Sequence, residues 1–179
     1  MFVCGYRAIR ARDEARDRPV AMDVWYPAAS PDGEVPHDYG LGAGSIAEGA
    51  EAAGGPFPVI LLSHGAFGSA RNYAWIAEHL ARRGHVVCGV SHFGESYVYG
   101  AETIDPTVAA DVGSRALDCS FALDHLLAAV LVDERDRDRQ KPAVVICDPF
   151  VTCRRGGSRY EQRERSWGWT DDGRWGICF

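Results

Sequence analysis

Pro56-Phe57-Pro58-Val59-Ile60-Leu61-Leu62-Ser63-His64-Gly65-Ala66-Phe67-Gly68 is the stretch on which the fold turns. Four consecutive apolar residues, Val59 to Leu62, stand between Pro and Gly punctuation. Such a run predicts a short strand buried on both faces, as in parallel sheets covered by helices. Gly65 and Gly68 bracket a turn where the chain can bend sharply and present backbone N–H groups to a bound group. A strand-to-turn edge followed by a helix is where open α/β sheets place their ligands.

Downstream, Tyr73, Ile76, Ala77, Leu80 and Ala81 recur at three and four, which predicts an amphipathic helix stopped at Gly84. Glu78, His79 and Arg82 fall on the opposite, solvated face. His85 to Val90 reads as a second buried parallel strand, joined to the first by a right-handed crossover. It ends in Ser91-His92-Phe93-Gly94-Glu95-Ser96, a second turn at the carboxyl edge of the sheet. His92 and Glu95 there read equally as pocket lining or as members of a capped turn with ordinary hydrogen bonds. Asp105-Pro106 opens the longest helix, with a core stripe of Val112, Ala116, Cys119, Leu123, Leu126, Leu127 and Val130. Asp111, Arg115 and Asp118 on another face are spaced for intrahelical ion pairs.

Upstream, Phe2 to Ile9 and Val20 to Tyr26 alternate on either side of a charged turn and predict an antiparallel hairpin at a sheet edge. Trp25 lies in that alternation and reads as a core anchor rather than a ligand-stacking residue. Ala28 to Gly55 is rich in Gly, Ala, Pro and acidic residues without a period, so it reads as a long loop with His37 solvated.

Leu62-Ser63-His64-Gly65-Ala66-Phe67-Gly68-Ser69 and the following Asn72 to Val87 resemble α/β-hydrolases. Within that superfamily they are most similar to bacterial predicted dienelactone hydrolases related to the platelet-activating-factor acetylhydrolases. Arg18-Pro19-Val20 with Asp23-Val24-Trp25-Tyr26-Pro27, and Arg115-Ala116-Leu117-Asp118, also resemble that family. The resemblance implies an α/β fold with a mostly parallel sheet, helices on both faces and an antiparallel edge hairpin. It implies hydrolysis of a carboxylic ester, without a cofactor or metal. The residue after His-Gly, here Ala66, would donate its backbone N–H to an oxyanion, supported by Gly65 and His64. Phe67, His92 and Glu95 would line the pocket, and Arg115 and Asp118 would tie the sheet edge together.

Composition narrows the alternatives. A formal charge of -6 over 179 residues provides no basic field for nucleic acid. No window approaches the length and apolarity of a membrane span, and the first ten residues lack a signal-peptide pattern, so the cytoplasm is the expected location. The six cysteines form no CxxC pair and no zinc-ligand spacing, and Cys88 and Cys119 read as small hydrophobes in a reduced core.

The chemistry that should follow is missing. Ester hydrolysis on this architecture needs a nucleophile on a Gly-x-Ser-x-Gly turn, then an acidic residue and a His downstream. That pattern is absent, and no His follows His125. Ala143 to Cys147 reads as the strand that should lead to the nucleophile, and Cys153 and Ser158 are the nearest substitutes. Cys153 sits beside Arg154 and Arg155, whose charge would lower a thiol pKa but whose bulk does not suit the turn. Asp133 to Arg139 alternates in charge and reads as a solvated loop.

There is no Leu after Leu131 and no Ala after Ala143. A segment without them cannot form the helix faces that the second half of this fold requires. Two accounts fit: a reading frame that leaves the family shortly after Val132, or a divergent tail in which Trp167, Trp169 and Trp175 pack. The sequence thus predicts a partial, truncated α/β-hydrolase domain over residues 1–147 and an irregular or disordered tail over 148–179. As an enzyme it would act weakly at most on a small-molecule ester; as a non-catalytic product it would bind or self-associate through an exposed sheet edge.

Overall fold

The computed structural model describes residues 1–30, 32–55, 57–108 and 111–129, together with the backbone of the short strands at 143–144, 166–169 and 175–178. Alternation on both sides of the charged turn makes β1 (Val3–Asp13) and β2 (Arg18–Ala29) an antiparallel hairpin, with Tyr6 opposite Trp25. The hairpin is not at the edge. β1 also pairs in parallel with β4 (Ala43–Glu48), which pairs with β3 (Val35–Asp38), while β5 (Glu51–Ala52) pairs with the end of β2. The expected loop from Ala28 to Gly55 is therefore a set of short strands that extends the sheet.

Long-range bonds hold this added edge. Glu34 Oε1 accepts the Cys4 amide at 2.7 Å and Arg82 Nε at 2.9 Å. Glu78 accepts Tyr39 Oη at 2.9 Å and the Ser45 amide at 3.3 Å, and Arg82 donates to Ser45 O at 2.8 Å. Glu78 and Arg82 thus turn toward the β3–β4 unit instead of solvent. His37 is half-buried between the rings of Tyr6 and Tyr39.

The apolar runs become β6 (Val59–Ser63) and β7 (Val86–Ser91), paired in parallel from Val59 with Val86 to Ser63 with Val90. A 3-10 turn at Ala70–Tyr73 leads into α1 (Ala74–Ala81) between them, and Gly84, at φ +88°, takes the left-handed conformation that ends the helix. α2 (Val112–Ala129) starts later than Asp105-Pro106. Asp105 instead caps a local turn, accepting from the amide and hydroxyl of Thr107. β8 (Ala143–Val144) pairs in parallel with Ile60 and Leu61. The strand order is β3-β4-β1-β2-β7-β6-β8, a mixed sheet.

Alternate strand residues divide into two apolar clusters. Val24, Tyr26, Val59, Leu61, Val86 and Cys88 group with Cys119, Ala122 and Leu126 of α2. Trp25, Ile60, Leu62 and Val87 group with Ala74, Ala77 and Ala81 of α1. Trp25 is fully buried and donates Nε1–H to Tyr39 Oη at 2.9 Å, the polar partner a buried indole needs. Cys88 and Cys119 are buried in the first cluster, where desolvation pushes both thiols up, Cys119 to about 12.

In the tail, β9 (Ser166–Trp169) and β10 (Trp175–Cys178) pair antiparallel in a sheet of their own, with Trp169 opposite Trp175; the rest of the expected irregular tail lies outside the described residues. The Asp133–Arg139 run, Cys153 and Ser158 lie outside the described residues. Among the described residues no helix is long and apolar enough to cross a membrane.

Candidate active site

The two parallel strands end in the same dipeptide. Ser63-His64 closes β6 and Ser91-His92 closes β7. Their parallel register sets the two ends side by side, and each pair bonds to the chain around the other. Ser63 Oγ lies 2.8 Å from His92 Nε2, the His92 amide donates to His64 Nε2 at 3.0 Å, and Ser91 Oγ accepts the Ala70 amide at 3.1 Å. The partners fix the state of the His64 ring. Its Nδ1 lies 2.7 Å from Gly65 O, which can only accept, and its Nε2 accepts from His92, so His64 is neutral with the proton on Nδ1.

α2 closes this wall from behind. Arg115 donates Nε–H to Glu95 Oε1 at 2.9 Å, bonds Glu95 Oε2 through Nη2, and donates from Nη1 to His64 O at 3.1 Å. One turn of helix later, Asp118 accepts Arg16 and Arg18 at 2.9 Å each and lies 3.0 Å from His92 Nδ1. Arg115 and Asp118, two of the three charges that the spacing assigned to intrahelical pairs, are thus engaged in tertiary contacts, while Asp111 bonds locally to Ser114. Burial would raise the Asp118 carboxyl, but the His92 hydrogen bond and Arg18 outweigh it and hold the group below the usual carboxylate range. His92 thus stands between the two, with Nδ1 against the Asp118 carboxylate and Nε2 against the Ser63 hydroxyl.

Ser63, His92 and Asp118 therefore form a hydrogen-bonded chain of the type that activates a nucleophile, set in the interior. Ser63 is 3 % exposed in regular strand backbone, and His92 and Asp118 are fully buried. A carbonyl carbon has no approach to such a hydroxyl, so the chain braces the sheet edge.

In front of the wall the chain turns outward. The Gly68 amide donates to Gly65 O at 3.1 Å, closing a turn with Ala66 and Phe67 at its exposed apex. Phe67 adopts φ +60°, one of two non-glycine residues at positive φ among those described. Left-handed backbone costs a side-chain-bearing residue about 1–2 kcal/mol. A Cβ on Gly68 would stand 3.2 Å from Gly65 O, too close for the turn to close unchanged. Among the described residues the amides of Ala66 and Phe67 have no hydrogen-bond partner. Behind the turn, Ser69 donates its hydroxyl to Asn72 Oδ1 at 3.0 Å and accepts from Tyr97 Oη at 2.7 Å, which pins the chain after Gly68.

The fold has a counterpart among solved structures. The chain is similar to a ferulic acid esterase from Streptomyces cinnamoneus, at 22% sequence identity and a TM-score of 0.60. The likeness is one of fold. It covers 81% of this chain and 51% of the esterase, so the chain spans about half the length of that structure. No family model matches the sequence, and no curated protein matches it either.

The residues singled out from sequence fall into two groups. Gly65, Ala66 and Phe67 form the outward turn, while His64, His92 and Glu95 are buried in the polar wall behind it. Sequence reasoning overlooked Ser63 and Tyr97 as site-forming residues. The Ser-His pair repeated at both strand ends was the available signal. Among the described residues no group of three His, Cys, Asp or Glu side chains is placed to hold a metal ion.

Proposed function

We propose that this chain carries the oxyanion-binding half of an ester-hydrolase site on an α/β-hydrolase sheet with one helix packed on each face, of the kind found in dienelactone hydrolases and platelet-activating-factor acetylhydrolases. The Ala66 amide is the donor, Gly65 permits the bend, and His64 holds the Gly65 carbonyl back through Nδ1–H. The observation that carries this reading is the exposed Gly65–Gly68 turn, whose apex amides are unengaged among the described residues and whose backbone is strained at Phe67. Strain persists where the surroundings over-determine it, and such places cluster at ligand sites. The fold likeness to an esterase supports carboxylic esters as the substrate class. One preorganised donor of this type stabilises a tetrahedral oxyanion by about 3 to 4 kcal/mol in a complete site.

Among the described residues no Ser or Cys combines solvent access with a hydrogen bond to a His. Ser63 is enclosed, and burial pushes the Cys4 thiol up to about 12, away from the thiolate that would react. The reading therefore assigns the chain an oxyanion cradle and at most trace hydrolysis. Incubation with a fluorophosphonate followed by intact-mass analysis tests it. The mass should stay unchanged, and stoichiometric labelling at Ser63 or Cys153 would overturn the assignment.

A further inference from the structure

The Gly65–Gly68 turn is held at both ends. At its base, Arg115 donates to His64 O at 3.1 Å and His64 Nδ1 lies 2.7 Å from Gly65 O. At its far end the chain leaves through Gly68 into Ser69, which is fully buried. Between the ends, the bond from the Gly68 amide to Gly65 O closes the loop. A loop with glycine at both shoulders has little stiffness of its own, so the ends decide where its apex points. The left-handed backbone at Phe67 has the same implication, because such a conformation persists where its surroundings over-determine it.

The far end is held by two kinds of bond. The Ser69 amide and hydroxyl both reach Asn72 Oδ1, at 2.9 and 3.0 Å, but Asn72 belongs to the same 3-10 turn and moves with it. Among the described residues, the side chains that tie Ser69 and Ala70 to the rest of the sheet edge are those of Tyr97 and Ser91. Tyr97 Oη lies 2.7 Å from Ser69 Oγ, and Ser91 Oγ accepts the Ala70 amide at 3.1 Å. Tyr97 is itself a fixed post. It opens a 3-10 turn at Tyr97–Tyr99 that is anchored on each side. The Ser96 amide donates to His92 O at 3.0 Å, while Tyr99 Oη accepts the Ala21 amide at 2.6 Å and donates to Ser91 O at 2.7 Å. A position set by β2, β7 and the turn after β7 is thus passed to Ser69 through one phenol hydroxyl.

We infer that Tyr97 is a positioning residue for the turn after β6: through Ser69, its hydroxyl fixes where Gly68 meets Gly65 and so where the Ala66 amide points. The inference rests on the oxyanion reading of that turn. Oxyanion stabilisation requires donors held at hydrogen-bond distance from the place where charge develops, so a loosened aim lowers it. One hydrogen bond of restraint corresponds to a change in affinity of about threefold to tenfold.

The test uses the full chain, isotope-labelled for NMR and titrated with methylphosphonate, whose tetrahedral anion imitates an oxyanion. In the unmodified chain it should shift the Ala66 and Phe67 amides. Tyr97→Phe keeps the ring, removes the hydroxyl and should weaken binding by about threefold to tenfold. Before any ligand is added, the same variant should move the amide signals of Ala66, Phe67 and Gly68 while those of the β1–β2 hairpin stay in place. Ser69→Ala should weaken binding by a similar factor. The double variant should bind no more weakly than either single one, because the two changes cut the same tie.

Equal affinity of Tyr97→Phe and the unmodified chain would overturn the positioning role while leaving the oxyanion turn in place. A double variant weaker than Ser69→Ala by the full Tyr97→Phe factor would put the hydroxyl on the anion itself, and would overturn it as well. Methylphosphonate that leaves the Ala66 amide of the unmodified chain unmoved would overturn the oxyanion turn, and the positioning role with it.

Discussion

Ser63-His64 and Ser91-His92 end neighbouring parallel strands, yet the chain after one turns out to solvent and after the other turns in. In the second turn the amides of Glu95 and Ser96 both donate to His92 O, at 3.2 and 3.0 Å, and the Glu95 side chain is buried against Arg115. In the first, the only internal backbone bond is from Gly68 to Gly65, and the apex amides stay open among the described residues. The dipeptide is common to both, so it does not decide the outcome. α2 does: Arg115 and Asp118 supply partners for Glu95 and His92, and Arg115 donates to the His64 carbonyl at the base of the first turn. A buried turn closed by its own backbone and braced by α2 becomes scaffold. An open one beside it is left to bind.

The comparison breaks most severely at Arg115. Arg115→Ala leaves the Glu95 carboxylate buried and unpaired and releases the His64 carbonyl, and truncating one partner of a buried pair costs about 3–5 kcal/mol. Urea unfolding should show a loss of that size; a loss below about 1 kcal/mol would mean that the inner turn does not depend on α2. Acid should act on the same wall. The Asp118 carboxyl sits below its unfolded value near 3.9, so its stabilising effect is complete above about pH 4 and is lost as pH falls through the lower folded value. Stability measured from pH 6 downward should therefore drop below about pH 4, and Asp118→Asn should start lower and fall less steeply. Parallel curves for the two proteins would contradict the role given to Asp118.

The outer turn should respond in the opposite sense. Phe67→Gly relieves about 1–2 kcal/mol of left-handed strain and gives back about 0.5–1 kcal/mol in unfolded-chain entropy. A net gain of about 0.5–1 kcal/mol in thermal or urea unfolding is expected. A loss would show that the Phe67 ring is part of the packing after all.

Much of this was legible in the residues. The apolar runs of β6 and β7 and the alternation of β1 and β2 are strong signals because each strand is long enough to carry one. Glycine spacing located the outward turn. β3, β4 and β5 were invisible because Ile46 and Ala47 are the only buried residues in them, and their order comes from Glu34, Glu78 and Arg82, distant in sequence. Helical periodicity sends charged residues outward, so it misassigned Glu78, Arg82, Arg115 and Asp118, each of which meets a tertiary partner. The Ser63–His92–Asp118 chain joins positions far apart along the sequence, and only the parallel register of β6 and β7 and the docking of α2 bring them together.

Amide hydrogen exchange, read residue by residue, addresses the contrast between the two turns most directly. Ala66 and Phe67 should exchange at rates close to those of unstructured chain, while the His92 and Ser96 amides, bonded to His64 Nε2 and His92 O, should exchange slowly with the core. Protection at Ala66 equal to that at His92 would contradict the account, because an amide already engaged cannot receive the charge of an oxyanion.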